Sequence, residues 1–154
     1  MFIHIKMDDF SLSNLYESKN EWSARLVTIL TPLITQGINS IYDESCKLCK
    51  ENNEESKYLM TFQNLLSRVP KWNDAILEKE FIRIKDKSNC SYLGDLLSCV
   101  HIIQLKILTC VRAGKEQKKI DIDIPKFTTF IHNVYTNAAR KIYTNIYLYE
   151  QNIV

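Results

Sequence analysis

An all-α fold is predicted, a single-domain bundle of five to six helices around a central apolar helix at about residues 91–112. Three observations predict it. The 154 residues include only 3 Gly and 3 Pro, too few turn formers for a turn-dense β-sandwich. Apolar residues recur at three- and four-residue steps along most of the chain, the spacing of one helical face. One stretch, Tyr92 to Ala113, is apolar on most sides and reads as a core helix wrapped by the others. At 45% hydrophobic and 25% charged residues, a chain of this length can bury roughly 68–70% of its unfolded surface and needs no staples. No repeat or linker divides it, so residues 1–154 are expected to form one helical domain.

The opening MFIHIK alternates weakly and runs into Met7 and two acids, so residues 1–10 are expected to be extended or frayed. From there Leu12, Leu15, Trp22, Leu26, Ile29 and Leu33 share a helical face, with Ser11 or Ser13 as cap. Pro32 removes a backbone donor and Gly37 follows, which predicts a kink or break near 31–37. The stripe resumes through Ile34, Ile38, Ile41, Tyr42, Cys46 and Cys49, giving one long bent helix or two in sequence. The polar run ENNEES reads as a connection ending in a cap, Ser56. A short helix carries Tyr58, Leu59, Phe62, Leu65, Leu66 and Val69 and stops at Pro70. Asn73 caps the next, with Asp74 in its first turn, Trp72 and Leu77 as a hydrophobic staple, and a stripe of Ile76, Leu77, Phe81 and Ile84. The charged KDKSN reads as a loop in which Ser88 or Asn89 caps the central helix. Gly114 ends that helix. In the segment near 119–124, Ile120, Ile122 and Ile124 alternate with Asp121 and Asp123 at the strand period of two. Pro125 suits the first turn of a last helix, about 126–150, with Phe127, Phe130, Ile131, Val134, Ala138, Ile142 and Ile146 inward.

Motifs that carry chemistry are sparse. The spacing of Cys46 and Cys49 is that of half a zinc site or a redox pair, but there is no second C-x-x-C, and the pair sits late in a helix. The five cysteines are odd in number and no secretory leader opens the chain, so a reduced intracellular setting is expected. His101 and Cys99 are two apart on a helix and do not face each other. His132 lies beside an apolar face. Asp121 and Asp123 read as the wet face of a half-buried strand. No Gly-rich phosphate loop, G-x-S-x-G or H-E-x-x-H is present. No catalytic residue, metal ligand or cofactor is therefore expected, and Asp95, His101, Gln104, Lys106 and Arg112 argue against a membrane span in the apolar stretch.

Net charge is only +2, too mild to identify a nucleic-acid binder. Its distribution is uneven: residues 1–56 hold 5 Lys/Arg against 9 Asp/Glu, while residues 110–141 hold 7 against 3. Arg112, Lys115, Lys118, Lys119, Arg140 and Lys141 form a candidate basic surface for phosphates or an acidic protein. The final turns add Tyr135, Tyr143, Tyr147 and Tyr149, more aromatic surface than one helix face needs. Tyrosine combines area with a polar handle, so Tyr143, Tyr147 and Tyr149 are a candidate protein interface.

The run KYLMTFQNLLSRVPKWNDAILEKE, with SNCSYLGDLLSCVHIIQLKILTCVRAGKEQKKIDIDIPKFTTFIHNVYTNAARKIYTNIYLYE behind it, resembles a family of small proteins from nucleocytoplasmic large DNA viruses, the group related to mimiviruses and phycodnaviruses. The resemblance covers the chain from about Leu15 and supplies no catalytic motif. It implies a non-enzymatic virion or viral-factory protein in the host cytoplasm, a minor capsid or assembly component. Its partners would be other viral structural proteins or copies of itself. The alternative expectation is a nucleic-acid-associated viral factor using the basic surface. A third is a redox or metal protein using Cys46 and Cys49.

Overall fold

The computed structural model describes residues 2–5, 12–112 and 120–151. They form five α-helices: α1 (Leu12–Glu51), α2 (Tyr58–Arg68), α3 (Asp74–Ser88), α4 (Leu93–Arg112) and α5 (Phe127–Thr144). Strands β1 (Phe2–Ile5) and β2 (Ile120–Asp123) pair antiparallel, with Phe2 opposite Asp123 and Ile5 opposite Ile120. The alternation of Ile and Asp near 119–124 is thus a strand, and its partner is the weakly alternating start of the chain. The Gly114 stop lies outside the described residues.

Backbone contacts gather into two compact units. One comprises Met1–Thr31 and Lys85–Phe127, the other Pro32–Ile84 and Thr128–Val154. Both α1 and α3 contribute turns to each unit.

Pro32 does not break α1, which is helical throughout its 40 residues. A helix can absorb one missing donor when its faces are held by packing, and here Leu30, Leu33, Ile34 and Ile38 are all buried around the proline. α3 also runs further than its polar sequence predicts. KDKS forms its last turn, Ser88 Oγ donates to Lys85 O at 2.9 Å, and Asn89 takes the left-handed conformation (φ 49°) that ends a helix. Ser88 and Asn89 therefore close α3 rather than open α4. Ser56 likewise falls inside a 3-10 turn, Glu55–Lys57, and α2 starts without a side-chain cap. Asn73 does cap α3: Ile76 N donates to its Oδ1 at 3.0 Å.

In the first unit, Leu15, Leu26 and Leu30 of α1 are buried, as are Cys90, Leu93, Leu96, Leu97 and Ile107. α4 is not enclosed as a central helix should be. Most of its described side chains are half-buried, Cys99 is exposed, and Leu108 is 38% exposed. Among the described residues its unit offers one other long helical segment and a two-stranded ribbon to pack against it. By length and composition Leu93–Cys110 could cross a membrane. Trp22, assigned to the inward face, instead lies 36% exposed with the Arg25 guanidinium 5.5 Å from its ring centroid.

The deepest burial is in the second unit, where Phe62, Leu66, Val69, Ile84, Ile131 and Tyr135 are sealed from solvent. α5 turns Ile131, Tyr135 and Ala139 inward at four-residue steps, while Phe127, Phe130, Val134 and Ala138 lie at the boundary. This inward face is rotated from the one that hydropathy selects, because Tyr135 finds room and partners inside. The helix ends at Thr144, and Ile146–Tyr149 is a 3-10 turn.

Candidate functional site

The second unit contains a polar cluster in which the buried Tyr135 meets the half-buried Glu80 and Arg83. α3 places Glu80 and Arg83 three residues apart on one face, which lets them pair: Arg83 Nη2 donates to Glu80 Oε2 at 2.9 Å and Arg83 Nε donates to both carboxylate oxygens at 3.2 Å. Tyr135 Oη donates to Glu80 Oε2 at 2.6 Å and accepts from Arg83 Nη2 at 3.0 Å. Arg83 Nη2 also donates to the backbone oxygen of Leu33 at 2.8 Å. The ring of Tyr135 reaches this point because residue 37 of α1 is glycine. A Cβ built there would fall on Tyr135 Oη and lie 2.7 Å from Cζ. Trp72 flanks the same ring, centroids 5.1 Å apart.

Electrostatics follow from this geometry. Burial, reinforced by the Glu80 carboxylate, holds the Tyr135 hydroxyl well above the ordinary tyrosine value. Burial opposes the charge of Arg83, but its bonds to Glu80 and Tyr135 outweigh that and the guanidinium is held above its usual value. Hydrogen bonds that run from Tyr135 to Glu80 and from Arg83 to both Tyr135 and Leu33 join α5, α3 and α1 in one clamp. In sequence Gly37 reads as a helix breaker, Trp72 as half of a staple and Tyr135 as a surface tyrosine, while the E-x-x-R pair of Glu80 and Arg83 carries no signal of a tyrosine 55 residues away.

A second cluster holds the segment that follows α5. Tyr42 lies edge-on to Phe62 at 5.3 Å, and Tyr149 packs on both, 5.3 Å from Tyr42 and 5.0 Å from Phe62. Gln151 Nε2 donates to Tyr42 Oη at 2.6 Å and Gln151 N to Tyr58 Oη at 2.7 Å. Burial pushes the hydroxyls of Tyr42 and Tyr149 up. Tyr149, set by the 3-10 turn, is half-buried against Tyr42 and Phe62. Tyr143 and Tyr147 remain outward, 46% and 59% exposed, and are joined by Leu148 at 70%, which sequence reading had not singled out.

Arg140 and Lys141 are exposed on α5. The Arg112 side chain and the whole of Lys115, Lys118 and Lys119 lie outside the described residues, so the basic surface is represented by its α5 part alone. His132 is half-buried, with Nε2 2.9 Å from Val69 O; a carbonyl only accepts, so Nε2 carries the proton. Cys49 is buried and its thiol donates to Thr61 Oγ1 at 3.1 Å, while Cys46 is half-buried. Among the described residues no three His, Cys, Asp or Glu side chains are grouped to hold a metal ion.

One open groove of about 660 Å³ lies between the C-terminal half of α1, the end of α2 and the start of α3. Ile41, Leu65, Trp72 and Ile76 supply its apolar surface, Arg68 and Lys71 stand on the α2 side, and Glu44 and Ser40 come from α1. Its volume is that of a small-molecule or anchor-residue site.

These features define an α-helical protein with a polar cluster around Tyr135 and an open groove beside it. Over residues 12–150 the chain matches the family of unknown function DUF5764, and it belongs to that family. No curated protein and no solved structure matches it.

Proposed function

We propose that this chain is a non-enzymatic structural or assembly protein of a large DNA virus. It would be a minor capsid or virion component that works in the viral factory and the particle through helix-face contacts with copies of itself or with other virion proteins. The observation that carries the reading is the outward set Tyr143, Tyr147 and Leu148 at the end of α5. Two aromatic rings and an aliphatic side chain held in solvent are what a protein contact buries. The commitment of Glu80, Arg83 and Tyr135 to one another agrees with it, as does the resemblance to large-DNA-virus proteins. Sedimentation of the purified protein tests the reading: wild type associates with rising concentration, and Tyr147→Ser combined with Leu148→Ser stays monomeric. A wild type that is monomeric at millimolar concentration and missing from purified particles by mass spectrometry would sink it.

The alternative is a nucleic-acid-associated viral factor using the basic surface, favoured by the adjacent exposed Arg140 and Lys141. Binding to a DNA duplex would then fall steeply between 50 and 200 mM salt. Equal retention at both ionic strengths, or none, removes it.

A further inference from the structure

We propose that the groove between α1, α2 and α3 is a docking site for an acidic peptide segment of another protein, one that inserts an aromatic or branched aliphatic side chain and lays an Asp or Glu beside Arg68 and Lys71. This site is separate from the Tyr143, Tyr147 and Leu148 surface and does not depend on it.

Three features of the groove lead there. Its apolar surface is preformed. Trp72 is braced by Tyr135 at 5.1 Å, and Tyr135 is fixed in turn by Glu80 and Arg83. Ile76 remains 39% exposed in a concavity, where an incoming side chain would cover it. A rigid apolar notch of this kind takes an anchor residue with little reorganisation.

The charges are also unspent. Arg68 and Lys71 are exposed and make no ion pair or side-chain hydrogen bond among the described residues, unlike Arg83 and Lys57, which are paired within their own helices or turns. Two neighbouring cations at one side of an apolar notch complement a carboxylate, and Arg68 can take it bidentately. Asn73, whose Oδ1 is used to cap α3, still has two amide N–H donors at the groove for a peptide carbonyl.

Polarity comes from Glu44. It lines the groove from α1, so the acid of the ligand belongs on the α2 side and a neutral or basic residue faces α1. The same carboxylate opposes a continuous phosphate backbone, which would have to run past it, and this favours peptide over nucleic acid.

The test selects random nonapeptides by display on full-length wild type, on the double variant Arg68→Glu/Lys71→Glu, and on Ile76→Asp. All three positions are exposed, and thermal melts verify that each variant is folded. Wild type is expected to enrich peptides with an aromatic or aliphatic residue flanked by Asp or Glu. The double variant should lose that enrichment and favour Lys or Arg flanks, and Ile76→Asp should lose the anchor preference. For the best wild-type peptide, fluorescence anisotropy should show at least tenfold weaker binding to the double variant, while Glu44→Gln binds as tightly as wild type or tighter. The same acidic preference in the double variant, no enrichment over a blank surface, or tighter binding of a 20-nucleotide single-stranded RNA than of any selected peptide would each overturn the proposal.

Discussion

At residue 37 two effects of opposite sign meet. Replacing a glycine inside a helix by alanine ordinarily stabilises by about 1 kcal/mol, but here the added methyl would collide with the hydroxyl end of Tyr135. Overpacking of a close-packed interior costs about 1–3 kcal/mol, and the clamp with Glu80 and Arg83 would be displaced as well. Gly37→Ala is therefore expected to destabilise by about 2 kcal/mol or more in urea unfolding, and a stabilised variant would contradict the packing described. Tyr135→Phe keeps the ring and removes two hydrogen bonds to charged partners, a loss of roughly 3 kcal/mol on the usual scale of about 1.5–3 each, discounted because the partners retain each other. The same residue gives a pH dependence. Its hydroxyl is held above the ordinary value in the folded state, so its contribution is fully present below the unfolded value of about 10 and is lost as pH rises beyond it. Wild-type stability should decline above about pH 10, and the decline should be shallower in Tyr135→Phe. Parallel curves for the two proteins would show that Tyr135 is not the group responsible.

Within α1, Pro32 leaves the carbonyl four residues earlier without its helical donor, yet the helix continues. Pro32→Ala is expected to raise stability by about 1–3 kcal/mol, seen as a higher melting temperature; no rise would mean that packing depends on the shape the proline imposes. Asn73→Ala removes the one side-chain cap of α3 and should cost about 1 kcal/mol. At this scale much was legible in the sequence. The five helices follow from the apolar period, the Asn73 cap from its side-chain chemistry, and the strand at 120–123 from alternation. The errors have physical causes. KDKS looks like a loop because a solvated last turn of a helix is equally polar. Hydropathy selects the wrong inward face of α5 because Tyr135 carries a hydroxyl, and its burial depends on Gly37, Glu80 and Arg83, none of them near it in sequence. The groove was invisible for the same reason: Ile41, Leu65 and Ile76 each belong to a different helical stripe and become neighbours only in the fold.

Across the whole molecule, the acidic first third and basic last third persist as a property of the chain, and the test of its nucleic-acid reading is ionic strength rather than affinity alone. Tyr147, Leu148, Arg68 and Lys71 are exposed, and single substitutions at such positions change stability little. Surface variants at Tyr147, Leu148, Arg68 and Lys71 should therefore melt within a few degrees of wild type. A collapse in melting temperature would mean that these side chains hold the fold together. The partition of the chain into two units has one further use. Its two tryptophans are divided between them, Trp22 beside Arg25 in the first and Trp72 beside Tyr135 in the second. Trp22→Phe and Trp72→Phe thus leave a single indole reporting on each half by fluorescence. Since α1 and α3 lend turns to both halves, the two emission curves are expected to superimpose during denaturation.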